Sequence, residues 1–169
     1  MSQTEVNLES EAGKAVQDYY HDDFSWCYGC GRLNEKGLQI KTRWQGDETI
    51  TEYMPRPEHM AIPGYVYGGL AASLIDCHST GSAALALHRR DGHELGDGEP
   101  VPRCVTASLK TDFLKPTPLG EPIVIRGRIT EVGKKKVMIS SELFVAGELC
   151  VRGEVVAVLA PASMMGGSK

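Results

Sequence analysis

Hydrophobic and polar positions change rhythm several times along the chain, and each change marks an element. Residues 1–24 are polar, with a weak helical spacing in Ala12, Ala15, Val16, Tyr19 and Tyr20, which predicts a partly helical leader on the surface. The stretch SWCYGCGRLNEKG (25–37) is rich in turn formers. Two strand-like segments, 38–44 and 48–54, flank Gln45-Gly46-Asp47 and read as a hairpin. Pro55, Pro57 and Pro63 then interrupt any regular element. Residues 68–87 form the one long helical segment, and it is apolar nearly all round. The polar, Gly- and Asp-rich stretch HRRDGHELGDGEPVP (88–102) reads as an exposed loop.

Period 2 dominates the last third. Val105, Ala107, Leu109, Thr111 and Phe113 alternate with Thr106, Ser108, Lys110 and Asp112. Ile123, Ile125 and Ile129 share one face of the next strand, and Val137, Ile139, Leu143 and Val145 line the one after it. Residues 149–159 close the series. Short turns at Gly133 and at Ala146-Gly147-Glu148 predict an antiparallel meander of four strands. A hairpin, one long apolar helix and a run of strands make an α+β fold, with a curved sheet wrapped around the helix. We expect one domain over residues 25–161 and a flexible tail over 162–169.

Composition changes this picture little. The 169 residues suit a single core, and 41% hydrophobic with 24% charged residues is ordinary for a globular chain. A net charge of −4 argues against nucleic acid as a partner. No apolar run reaches the length of a membrane span. The polar, acidic start lacks the features of a signal peptide, and five scattered cysteines fit free thiols in a reducing compartment. The expectation is a cytoplasmic protein.

Chemistry concentrates in GYVYGGLAASLIDCHSTGSA (64–83), where Asp76 interrupts the most apolar helix. Gly68 and Gly69 stand where that helix should open, and the first N–H groups of a helix lack internal acceptors. They carry partial positive charge and suit a carbonyl oxygen that becomes an oxyanion. Asp76 follows Gly69 by two turns, so both look toward one cleft. Ser73 and Thr80 share that face. Asp76 could instead serve only the core, bonded to Ser73, Thr80 or a strand backbone. A carboxylate partly withdrawn from water is also a better base.

At these residues the chain resembles the hotdog-fold acyl-CoA thioesterases, in the branch that includes the human thioesterase superfamily member 4 type and the phenylacetate-pathway type. CYGCGRLNEKGLQI, PEHMAIPGYVYGG and VTASLKTDFLKPTPLGEPIVIRGRI resemble further stretches of that family, in the same order. The resemblance implies a curved antiparallel sheet around one long helix, a homodimer or homotetramer, and an acyl-CoA site between two subunits. It implies hydrolysis of the thioester, with Asp76 as base or nucleophile, the Gly68 N–H as oxyanion donor and Thr106 holding the water. Tyr67, Gly69, Ser73 and Thr80 would line the substrate, and no cofactor is implied. The chain departs from the family pattern at Tyr67, where the family usually carries His. That departure favours an alternative, a non-catalytic acyl-CoA-binding protein on the same fold. A hotdog hydratase or dehydratase would need a His–carboxylate pair, for which His59 is the upstream candidate.

Other motifs read as structural. Cys27-Tyr28-Gly29-Cys30 has no second Cys-x-x-Cys and no finger-spaced His, so it reads as a packed turn and no metal is expected. Ser73, Asp76 and His78 cannot align as a triad on one helix, and His78 points about 160° from Asp76, toward the sheet or a partner. Lys134-Lys135-Lys136 reads as a solvated hairpin tip, with Arg89 and Arg90 as other cations for the phosphates of coenzyme A.

Overall fold

A computed structural model of the chain describes residues 13–165. Its centre is α1 (Gly68–Arg90), a 23-residue helix. A six-stranded antiparallel sheet wraps it, built from β1 (Arg43–Gln45), β2 (Glu48–Tyr53), β3 (Cys104–Phe113), β4 (Ile123–Val132), β5 (Lys136–Val145) and β6 (Glu148–Leu159). This is the expected hotdog arrangement of one long helix and a curved antiparallel sheet. Burial explains why α1 carries no polar stripe along its second half. Every residue from Cys77 to His88 is buried, so small and apolar side chains are needed on all sides.

Strand order is β1-β2-β4-β5-β6-β3, which corrects the expected meander. β4, β5 and β6 do follow one another through short turns. β3 instead crosses to the far edge, where β6 is its one strand neighbour among the described residues. The segment with Pro116 and Pro118 makes this crossing, held by Val66 N–H to Thr117 O (2.8 Å) and Leu119 N–H to Gly64 O (2.9 Å). Period 2 reports which face a residue takes, not which strand lies beside it.

The first hairpin is shorter than expected, since residues 38–42 are not in a strand. Gln39 takes a positive φ of 57°, and its amide donates to Gly31 O and Asn34 O. These bonds hold the segment against the cysteine-bearing turn. The expected leader spans residues 1–24, of which 1–12 lie outside the described residues. From 13 onward it is no surface helix. Two 3-10 turns, Val16–Asp18 and Asp22–Phe24, carry Val16 and Tyr20 into the core under the second half of α1. Gln17 is buried too, its amide bonded to Thr42 Oγ1 and its carbonyl to Thr42 N–H. Of the expected tail, 162–164 form a 3-10 turn and 166–169 lie outside the described residues.

Candidate functional site

α1 opens without a side-chain cap. Tyr67, in extended conformation, precedes it, and its carbonyl accepts from Leu70 N–H (3.1 Å). No acceptor among the described residues takes the N–H of Gly68 or Gly69, and both glycines are exposed. The absence of side chains matters here. A Cβ on Gly69 would overlap the Tyr67 ring, and one on Gly68 would touch the Phe113 ring at 3.4 Å. Tyr67 is 41% exposed, and its hydroxyl makes no hydrogen bond among the described residues.

From Gly69 an open stripe runs along α1. Between Leu70 and His88 only Ala72, Ser73 and Asp76 are half-buried. With Gly69 they occupy one face, at the i, i+3, i+4, i+7 spacing. Ser73 Oγ donates back to Gly69 O (2.8 Å). The stripe ends at Thr80, which is buried and donates to Cys77 O (3.3 Å). Thr80 is thus not presented to the open face.

Opposite the stripe lies β3, and Thr106 Oγ1 donates to Asp76 Oδ1. Phe113, on the same strand, covers Gly68. Thr106 and Phe113 are an odd number of residues apart, so regular pleating would put them on opposite faces. The register of β3 against β6 skips between Thr106 and Ser108. This bulge at Ala107 reverses the alternation and turns both side chains toward the helix. The sequence pattern alone had placed them on opposite faces. A groove of about 310 Å³ lies at the Gly68 end, lined by Val66, Gly68, Phe113, Leu114, Lys115, Pro116 and Thr117.

The surroundings of two features beside this site were not legible in the sequence. His59 is buried and its carbonyl accepts from Tyr67 N–H (3.0 Å), with the two rings 6.5 Å apart. Its Nδ1 accepts from Arg56 N–H (3.0 Å), so the neutral ring carries its proton on Nε2. Burial first, then the Arg56 charge, lowers its pKa. Its bonded neighbour is Arg56 and not a carboxylate. The second feature is that Cys77 Sγ, on α1, lies 4.0 Å from Cys27 Sγ. Cys30 joins them, and all three sulfurs fall within 4.8 Å of one another. Hydrogen bonds from the Cys30 and Cys77 thiols hold Cys27 far below the usual thiol range. The same contacts push Cys30 up to about 11 and Cys77 well above its ordinary value.

His78 points away from the stripe, as the helical wheel predicted. It is fully buried against β2, with Nδ1 2.8 Å from Thr51 Oγ1 and Nε2 3.3 Å from Thr49 Oγ1. The candidate phosphate-binding cations are largely engaged. Arg89 stacks on Trp44 at 3.9 Å, Arg90 bonds the carbonyls of Gly133 and Lys134, and Lys136 pairs with Glu131.

A family model described as "Thioesterase superfamily" matches residues 63–157, which span α1, β3, β4, β5 and most of β6. The chain belongs to the thioesterase superfamily. A thioesterase superfamily protein from Shewanella loihica is similar at 44% identity, over 83% of this chain and 98% of that one, with a TM-score of 0.64. Two more distant structures share the fold. The PaaI protein of the Escherichia coli phenylacetic acid degradation operon has 13% identity and a TM-score of 0.59, over 73% and 81% of the two chains. A Streptococcus mutans protein bound to acetyl-CoA has 14% identity and a TM-score of 0.59, over 76% and 96%. No curated protein matches the chain. Among the described residues, no helix of this thioesterase superfamily member is long and apolar enough to cross a membrane.

Proposed function

We propose that the chain hydrolyses an acyl- or aryl-acyl-CoA thioester to the free acid and coenzyme A. The observation that carries this reading is the Asp76–Thr106 pair, two helical turns from the free N–H groups of Gly68 and Gly69. A carboxylate, a hydroxyl and backbone donors on one open face are the groups that thioester hydrolysis needs. The thioester carbonyl oxygen rests on Gly68 N–H. A water between Asp76 and Thr106 attacks the carbonyl carbon, and Asp76 takes its proton. The tetrahedral oxyanion is held by the backbone donor. On its collapse the C–S bond breaks, and the sulfur leaves with the proton that Asp76 received. Acetyl-CoA in the Streptococcus mutans structure supports coenzyme A as the carrier. The groove beside Gly68 gives an apolar chain a place to lie. Cytoplasmic coenzyme A thioesters are the proposed pool.

β3 is ten residues long, pairs on one side only and exposes Leu109 and Phe113. An edge of this kind invites pairing, and a second copy of the chain is the proposed occupant. The assembly is then a homodimer or homotetramer with β3 and its site at the interface.

A second reading keeps the ligand and drops the chemistry. Tyr67, exposed at the mouth of the site and without a side-chain hydrogen bond among the described residues, favours an acyl-CoA-binding protein without turnover. Thiol release from short, long and aromatic acyl-CoAs, with wild type beside Asp76→Ala, separates the two. Turnover by wild type alone supports hydrolysis. Binding with no turnover by either protein rejects it for the second reading.

A further inference from the structure

We propose that Cys27, Cys30 and Cys77 are the three protein ligands of a zinc site that ties the N-terminal turn to the central helix. The sequence offered only a Cys-x-x-Cys pair, and the fold supplies the third sulfur from 50 residues away. Zinc bound to thiolates at about 2.3 Å in tetrahedral geometry sets its sulfurs roughly 3.8 Å apart. Here Cys27 and Cys77 are 4.0 Å apart, and no sulfur–sulfur distance in the set exceeds 4.8 Å. The three need to move by an ångström or less to enclose the ion. A disulfide would need any pair at about 2.05 Å, close to 2 Å of closure for Cys27 and Cys77.

The turn that carries two of the sulfurs is tightly built. It closes through Gly31 N–H to Cys27 O (2.7 Å). Neither Gly29 nor Gly31 tolerates a side chain. A Cβ on Gly29 would overlap Cys77 Sγ, and one on Gly31 would collide with the Cys27 backbone and Ser25 O. Leu38 N–H to Tyr28 O (2.8 Å) and Ile40 N–H to Gly29 O (3.0 Å) fix the turn from its other side. The Arg103 guanidinium lies 3.9 Å from Cys30 Sγ. Three thiolates around Zn2+ leave one negative charge, and Arg103 balances it. Isolated buried thiols are ordinary packing, and Cys104 and Cys150 fit that description. Cys27 is only half-buried, while Cys30 and Cys77 are buried. The fourth position is left to water on the Cys27 side. The ion would brace α1 one residue past Asp76, and the site stands whether or not Asp76 is catalytic.

The test uses the full chain, freed of metal under a non-thiol reductant without oxygen. Zinc is titrated against a chromophoric chelator, and Co2+ serves as an optical probe. The expected results are one Zn2+ per chain, a thiolate-to-cobalt charge-transfer band, and a melting temperature that rises with zinc. Cys27→Ser and Cys77→Ser should each weaken affinity by about 100-fold or more, beyond the 10–100-fold that loss of a group merely supporting a ligand costs. Cys104→Ser and Cys150→Ser should bind as wild type does. If Cys77→Ser fails to fold, Cys27→Ser on the half-exposed turn decides alone. Zinc binding unchanged by Cys27→Ser, a Co2+ complex without the thiolate band, or a Cys27–Cys30 disulfide in protein that takes up no zinc would each overturn the proposal.

Discussion

His78 offers a direct test of how tightly α1 is sealed against β2. Its ring is fully buried, and desolvation lowers its pKa from 6.5 to about 3. A depressed folded value means that stability is fully present above pH 6.5 and is lost as pH falls toward 3. In that window the unfolded chain binds a proton that the native ring refuses. Each pH unit below 6.5 costs about 1.4 kcal/mol, so moving from pH 7 to pH 4.5 should cost roughly 2–3 kcal/mol through this residue alone. His78→Gln removes the titration and keeps a polar end near Thr49 and Thr51. Urea denaturation of both proteins at the two pH values is the assay. Surface carboxylates titrate alike in both and cancel in the comparison. Wild type should lose roughly 2–3 kcal/mol more than the variant. Parallel pH dependence would show that His78 is protonated inside the fold. That would refute the sealed packing of His78 against β2.

Three further outcomes test the site and the core. Thr106→Val deletes the hydroxyl that donates to Asp76. A hydrogen bond to a charged group contributes about 1.5–3 kcal/mol, and the exposed strand argues for the low end. Turnover should fall about 10-fold and the melting temperature by a few degrees at most, and an unaltered kcat would remove Thr106 from the reaction. Tyr67→Phe should leave kcat within about 2-fold of wild type, because the hydroxyl has no partner among the described residues. A larger fall, read from steady-state kinetics, would show that this hydroxyl bonds the substrate. Gly153→Ala places a Cβ into Ile75 at the middle of β6. Overpacking of this kind should destabilise by about 1–3 kcal/mol in denaturant titration, and a neutral result would mean that β6 can move away from α1.

The sequence pattern located α1 to within three residues of its observed end, since the helix runs to Arg90 where 87 was expected. It located β4, β5 and β6 as well, because their alternation is regular and their turns are short. Asp76 drew attention as a carboxylate in an apolar helix, and the Gly68-Gly69 pair as a helix start. The neighbourhood of Thr106 came from resemblance. Its orientation depends on the Ala107 bulge, which leaves no mark in the hydrophobic pattern. The edge position of β3 was equally silent. Its odd-numbered residues look apolar, yet Leu109 and Phe113 are exposed, because little of the chain covers either face of β3 beyond its first residues.

The run Asp76-Cys77-His78 shows why a helix surrounded by apolar neighbours carries consecutive polar groups. Successive residues turn by about 100° around a helix, so these three face three different parts of the fold. Asp76 meets Thr106 on β3, Cys77 meets Cys27 on the N-terminal turn, and His78 meets Thr49 and Thr51 on β2. Each polar group is matched by a long-range partner, so none is left bare in the core, where an unpaired group costs about 1–3 kcal/mol. The three contacts also clamp one turn of α1 from three sides. Of the three directions only that of Asp76 opens toward solvent, since Cys77 and His78 are buried. A carboxylate held at the one open direction of a rigid turn is fixed relative to the backbone donors two turns away, and that constancy is what a preorganised site requires.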